Sequence, residues 1–503
     1  MWSSARAPSW SASRRSGLRK QYRSGEFCDS FASGTQRSSR RMSSGDNSRA
    51  MMGDLSSIEG VWQSRGYGWV FDIQPDGYRR WNVTERTADV ADHGVASDFL
   101  IGFDRIDRSS PDELSFCVYE EITRYHFTRL SGLPTICLGG GTPATQDPEE
   151  NFRAFWQQFA DHYAFFSQKG VNWQEIHDAQ VDRIGPGMSA DRLLDVFAEM
   201  ITPLEDAHVA VVAEERVLKV SKSATLRAFL EREIRIDPYW ENRNECNRRI
   251  CALYDREFLG GAGTKACNDH LLWGEIQPGI GYLAVLGEFG FSDSDFTRRS
   301  NDLPRGRRES AEFLHAELAA LEPALDRAIG DLSDCRAILV DARINNGGFD
   351  VAALAVAGRF ADKRRLAFSK AAWNGWSFEP RQEIDVAPAG PRQFTKPTML
   401  LTSALTPSAG EILVLGMMAL PHVTRVGEST LGILSDNLYK TLPNGWELSI
   451  SNELYLAPDG SFYEGCGIPP DVEVPVFGEP DLAKGLRSSL DRAVKIAEAA
   501  SSA

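Results

Sequence analysis

The sequence predicts an α/β protein, a sheet of buried strands covered by helices, and two stretches carry most of that prediction. Ala337-Ile338-Leu339-Val340-Asp341 and Thr398-Met399-Leu400-Leu401-Thr402 are almost wholly apolar runs. Each meets a polar turn and then an apolar helical stretch, Val351–Phe360 and Ile412–Leu420 respectively. Short strands apolar on both faces and alternating with helices are those of a sheet buried on both sides.

A length of 503 residues fits about two to four domains. The 42% hydrophobic and 25% charged content is that of an ordinary globular protein. The net charge of −15 is uneven: residues 1–50 carry +7 and the remainder −22. An acidic body argues against nucleic acid as a partner, since phosphate binding needs a basic surface. No apolar run is long enough to span a membrane, and no apolar signal region opens the chain. Residues 1–54 read as a disordered tail or an over-extended start. Their Ser- and Arg-rich composition matches an organelle-import peptide as the alternative to a cytoplasmic chain. The eight cysteines form no C-x-x-C pair and read as mostly reduced thiols, with one local bridge among Cys246, Cys251 and Cys267 left open.

Residues 55–140 alternate, are aromatic-rich around Gly60–Ile73, and turn at Pro75-Asp76-Gly77. With further short runs at Phe99–Phe103, Glu113–Tyr119 and Tyr125–Leu130, they predict a small antiparallel β domain. Residues 147–212 read as a helical bundle, with Phe152, Phe155, Phe159 and then Leu193, Leu194, Phe197 at helical spacing. Residues 213–272 look like an irregular linker or insertion. The αβ core is expected over 273–478, including a helix from Ala311 to Ile329 that Pro323 kinks or restarts, and a last helix over 479–503.

Ser408 sits where a strand breaks at Pro407 and feeds a helix, beside free N–H groups and the positive end of the helix dipole. Ser408-Ala409-Gly410-Glu411 also matches a capping box. His208 falls where a helix gives way to a strand, in Leu204-Glu205-Asp206-Ala207-His208. Gly347-Gly348 lies at a strand-to-helix turn, where backbone N–H groups can approach a ligand closely.

These pieces resemble, in order, those of the C-terminal-processing (tail-specific) serine peptidases, a family that includes the tricorn protease core and the interphotoreceptor retinoid-binding repeats. The matching segments are Leu204–His208, Ile280–Leu283, Asp341–Gly348, Pro407–Glu411, Val426–Gly432 and Gly465–Asp471. The resemblance implies a Clp-protease/crotonase-like αβ core behind the bundle, peptide or unfolded-protein substrates, and serine chemistry without cofactor or metal. One branch uses a Ser–Lys dyad with the lysine in T-x-G-K. This chain has Thr430-Leu431-Gly432-Ile433, and isoleucine accepts no proton. The tricorn-like branch instead implies Ser408 as nucleophile, His208 as base and Glu464 as the acid behind it, with an oxyanion hole from Ala409 and Gly347 or Gly348. That branch often has a hydroxyl beside the histidine, where this chain has Ala207. Arg343 and Asp341 read as structural. Two other readings share the fold: a silent binding protein for an apolar ligand or peptide, and a crotonase-type acyl-CoA enzyme, for which no basic cluster is present. A homo-oligomer is compatible with the sequence.

Overall fold

The computed structural model describes residues 58–95, 103–118, 121–214, 216–220, 224–235, 243–293 and 307–502. The expected tail at 1–54 and most of the run Phe99–Phe103 lie outside them.

Strands β1 (Gly60–Ser64), β2 (Trp69–Gln74), β3 (Gly77–Val83), β4 (Ala88–Gly94), β5 (Phe103–Ser110), β6 (Glu113–Val118) and β7 (Arg124–Leu130) form one antiparallel sheet, ordered β4-β3-β2-β1-β7-β6-β5. Alternation puts Trp62, Phe71, Phe116 and Phe127 on one face, where they make a core of their own. Helices α1 (Pro148–His162), α2 (Trp173–Val181) and α3 (Ala190–Ile201) follow. Asp147, Asn172 and Ser189 cap them, each side chain accepting a first-turn N–H. Phe155 stacks on Phe197 at a centroid distance of 3.8 Å and locks α1 to α3.

Strands β8 (Ala210–Ala213) and β9 (Arg216–Lys219) come next, then helices α4 (Ala224–Ile234) and α5 (Arg243–Phe258) and strand β10 (Thr264–Ala266). The segment expected to be irregular is therefore substantially helical. Cys246, Ile250, Tyr254 and Phe258 recur every four residues and are buried as one stripe of α5. Charged residues fill the outer face and conceal that period. No disulfide joins Cys246, Cys251 and Cys267.

The central sheet contains β10, β11 (Leu271–Gln277), β12 (Ile280–Val285), β13 (Ala337–Asp341), β16 (Thr398–Thr402), β17 (Val423–Gly427) and β21 (Val472–Glu473), in that order. From β12 to β21 the pairings are parallel. Every residue of β12, β13 and β16 is buried, as their apolar runs require. One face packs against α6 (Arg307–Asp331), α7 (Asp350–Gly358) and α8 (Ala409–Met418), the other against α5 and α9 (Leu482–Ser502). Helix α6 runs through Pro323 without restarting. Beside this sheet stand β14 (Arg365–Ala372), β15 (Gln382–Val386) and β20 (Glu453–Leu456), and a second small sheet ordered β18 (Asn437–Thr441), β19 (Glu447–Ser451), β8, β9. Among the described residues no helix is long and apolar enough to cross a membrane.

The β domain is seated on this core by buried and half-buried polar contacts. Lys440 Nζ donates to the Tyr67 carbonyl at 2.7 Å, Asn452 Nδ2 to the Gly66 carbonyl at 3.1 Å, and Gln382 Nε2 to the Ile122 carbonyl at 2.6 Å.

Candidate active site

Ser408 ends the β16 crossover and caps α8, with φ 54° and ψ −127°. A non-glycine residue at positive φ is strained by about 1–3 kcal/mol and needs surroundings that hold it there. They are present: Thr406 Oγ1 donates to the Ala342 carbonyl at 2.6 Å, Ser403 N–H to Thr406 Oγ1 at 3.1 Å, and Ser408 N–H to Glu411 Oε2 at 3.2 Å. Ser408 and Glu411 adopt the capping-box arrangement, the Glu411 carboxyl reaching back to the Ser408 N–H. The N–H of Glu411 is spent on the Ser408 carbonyl at 2.7 Å. A strained serine at a strand-to-helix corner presents its hydroxyl as nucleophile elbows do.

Gly347, at φ +66°, lies directly against it: a Cβ there would be 2.9 Å from Ser408 Cβ. The N–H of Gly347 donates to Asn345 Oδ1 at 2.8 Å and is not free to meet a substrate. The N–H groups of Gly348 and Ala409, by contrast, donate to no group among the described residues. Ala409 is the first residue of α8, so its N–H is one of the helix's orphan donors.

His208 is placed by the pairing of β8 with β19, which follows it by two residues. Asp206 Oδ1 accepts the His208 N–H at 2.9 Å and fixes the bend. The ring's Nδ1 donates to the Ser435 carbonyl at 2.6 Å. A carbonyl can only accept, so this contact puts the proton on Nδ1 and leaves Nε2 as the basic nitrogen. Burial pushes the ring's pKa below the usual histidine value of 6.5, which keeps it neutral near pH 7.

Glu464 is buried and makes no hydrogen bond to His208. Its Oε2 accepts the N–H groups of Leu434 at 2.8 Å and Ser435 at 2.9 Å, so it reaches the histidine through the Ser435 peptide. Its Oε1 has no partner, and burial, with the charge of Asp206 nearby, pushes its pKa well above the carboxylate range.

Sequence reasoning missed how far Glu411 reaches. Wholly buried, it accepts from Thr430 Oγ1 at 2.5 Å and from the N–H groups of Gly432 and Ile433, each at 2.8 Å. Burial outweighs these donors and pushes its carboxyl up to about 7. Four consecutive N–H groups, 432 to 435, are thus taken by two buried carboxylates, Glu411 and Glu464. This strap touches the Ser408 turn through Glu411 at one end and His208 through the Ser435 carbonyl at the other. No hydrogen bond joins the Ser408 hydroxyl to the His208 ring directly. Ile433 is buried within the strap and offers no base.

A second unforeseen feature adjoins the strap. Lys370 Nζ is buried with four oxygens around it, Glu453 Oε2 at 2.7 Å, Asp436 Oδ2 at 2.9 Å, Tyr455 OH at 2.8 Å and Thr123 Oγ1 at 2.6 Å, which its three N–H groups share. Tyr455 OH lies 3.2 Å from Asp350 Oδ2, and Tyr67 OH donates to Glu453 Oε1 at 2.5 Å. Burial, then the charge of Asp436, pushes the Asp350 carboxyl well up, and the cluster spreads one cation over three carboxyls. Asp341 and Arg343 form the structural pair foreseen: Arg343 Nε meets Asp341 Oδ1 at 2.9 Å, and Nη1 donates to the Leu486 carbonyl of α9 at 2.6 Å.

Comparison with known proteins agrees with this architecture. Residues 315–474 match the model of peptidase family S41, and residues 144–202 that of the tricorn protease C1 domain. The carboxy-terminal processing protease CtpA of Bacillus subtilis (strain 168) is 26% identical over 179 residues, 36% of this chain and 36% of that protein. The chain thus matches about a third of the length of that curated relative. Among solved structures, a candidate peptidase from Parabacteroides merdae ATCC 43184 has a TM-score of 0.56 at 21% identity, covering 70% of this chain and 97% of the other. That likeness supports the αβ fold. Residues 315–474 match a peptidase family S41 domain, and over that stretch the chain is similar to the C-terminal-processing peptidases.

Proposed function

We propose that this chain is a serine endopeptidase of the tricorn-like kind, cleaving peptides or unfolded protein segments through an acyl-enzyme. The observation that carries the reading is the hydrogen bond from His208 Nδ1 to the Ser435 carbonyl, which leaves Nε2 unprotonated in a half-buried, neutral ring. Nε2 takes the Ser408 hydroxyl proton as Oγ attacks the scissile carbonyl carbon. The oxyanion so formed is met by the free N–H groups of Gly348 and Ala409, a donor pair in which each member is worth roughly 10²–10³ in turnover. The intermediate collapses, the C–N bond breaks, and the protonated His208 gives its proton to the leaving amine. Water, deprotonated by the same nitrogen, then releases the acyl group. Ser435 holds the tautomer that a carboxylate holds in Ser-His-Asp triads, with Glu464 fixing Ser435 from behind. In free enzymes such contacts are often long and close only with substrate bound, which accommodates the missing Ser408–His208 hydrogen bond.

A fluorophosphonate probe tests this directly. It should label the wild-type chain, fail on Ser408→Ala, and label His208→Ala far more slowly. A folded wild-type chain that takes no label would sink the peptidase reading and favour a silent binding protein on the same fold.

A further inference from the structure

The Gly347–Gly348 turn is held from beneath by a residue that no step above uses. Glu288 lies just beyond β12 and is wholly buried. Its N–H donates to the Gly347 carbonyl at 3.0 Å and its carbonyl accepts the Phe349 N–H at 3.1 Å, so its backbone grips Gly348 from both sides. In a trans peptide the C=O and the following N–H point in opposite directions. With the Gly347 carbonyl turned onto Glu288, the Gly348 N–H is turned away from it. The fit is close: a Cβ on Gly348 would lie 2.4 Å from the Glu288 carbonyl carbon.

The Glu288 side chain reaches the same turn by a second route. Its Oε1 accepts from Asn345 Nδ2 at 2.8 Å, and Nδ2 also donates to the Val285 carbonyl at 3.0 Å. Asn345 Oδ1 in turn accepts the Gly347 N–H at 2.8 Å. The partners fix the amide's orientation, since its oxygen meets a donor and its nitrogen meets two acceptors. Glu288 Oε2 has no hydrogen-bond partner. Burial pushes the carboxyl up to about 8; the Asn345 amide opposes this, and no charged side chain contributes. A neutral carboxyl is tolerated there, whereas an ionised one is a buried charge with a single donor.

On the reading of Ser408 as nucleophile, we infer that Glu288 and Asn345 are positioning residues of the oxyanion hole, holding the Gly347–Gly348 peptide so that the Gly348 N–H faces the reacting carbonyl. Neither touches substrate. Protonated Glu288 is the working form, and its ionisation draws on the turn for a second donor and spoils the alignment.

The test is ester turnover by the full chain from about pH 6 to about pH 10, in the wild type and in Glu288→Gln, Glu288→Leu and Asn345→Leu. Wild-type kcat should decline as pH rises past about 8. Glu288→Gln keeps an acceptor for Asn345 and cannot ionise, so its kcat should match the wild type near neutrality and show no such decline. The two leucine variants should lose about 10- to 100-fold in kcat with KM little changed, and Ser408 should still take a fluorophosphonate, more slowly. Should either leucine variant fail to fold, the pH profile of Glu288→Gln decides alone. An alkaline decline that persists unchanged in Glu288→Gln, or leucine variants with wild-type kcat, would overturn the positioning role. A wild-type chain that takes no label is a different failure, since it removes the Ser408 reading on which this inference rests.

Discussion

Replacing Gly347 by alanine puts the proposed geometry under the sharpest strain the structure offers. The new Cβ would lie 2.9 Å from Ser408 Cβ, 3.1 Å from the Pro407 carbonyl oxygen and 3.4 Å from the Ala409 nitrogen. Carbon atoms pack comfortably at about 3.5–4.0 Å, so Ser408 must retreat by roughly 0.6–1 Å. A displacement of about 1 Å at reacting atoms costs on the order of 10²-fold in rate. The variant also holds alanine in the left-handed region, for about 1–2 kcal/mol of stability. Gly460 separates the two effects, because it sits at φ +84° with nothing within 4 Å of a built Cβ. Gly460→Ala should show the backbone cost with turnover within about twofold of wild type, as surface changes usually do. Gly347→Ala should lose about 10²-fold in kcat/KM beyond that. The assay is hydrolysis of a chromogenic ester alongside urea unfolding of both variants. Full activity in Gly347→Ala would place the reacting centre away from this turn. Equal inactivation by Gly460→Ala would show that general loosening, not the clash, was measured.

Four further outcomes follow from the contacts of the site and of the cluster beside it. His208 acts neutral, and burial lowers its pKa, so kcat/KM should rise with pH through a midpoint below 6.5 and hold until the Glu288 decline past about 8; a midpoint above 6.5 contradicts a neutral base. The same shift means that His208 withdraws stability as pH falls below 6.5, the unfolded value, down to its folded pKa. Glu411→Ala strips the acceptor from Gly432, Ile433 and Thr430, at about 1–3 kcal/mol for each donor left buried, and should slow fluorophosphonate labelling of Ser408 as the strap slackens. Lys370→Met leaves Glu453 and its neighbours without their cation and should cost about 3–5 kcal/mol in chemical denaturation, with Glu453→Gln in the same chain restoring part of it.

How much of this was legible in the sequence depended on whether the cause was local. The β13 and β16 strands announce themselves because five consecutive residues must each be buried, and only an apolar run satisfies that. Ser408 is visible for a similar reason: Pro407 breaks the strand and Glu411 marks the first helical turn. His208 needed the wider pattern of motifs, since a lone histidine after a helix says little. The acceptor for its Nδ1 is a backbone carbonyl, which leaves no residue-type signature at all. Glu411 looked like an ordinary capping residue because its other contacts lie some twenty residues away. The Lys370 cluster draws on five separate segments, so no window of sequence contains it. Helix α5 was hidden by composition, as its charged outer face masked a regular stripe of Cys246, Ile250, Tyr254 and Phe258.

The seating of the β domain has a consequence for what counts as the smallest working unit. Tyr67 and Thr123 reach across from that domain to Glu453 and Lys370, and Glu453 donates its own N–H to Ser435 Oγ at 2.9 Å. The inner wall of the αβ core is therefore partly built from residues that precede the helical bundle. A chain shortened to begin at the bundle would open Lys370, Glu453 and Lys440 to water on one side, and would leave Ser435, on which His208 leans, resting on a solvated base. The β domain is better regarded as part of the masonry than as an attachment, and the αβ core is not separable along the boundary that the fold suggests.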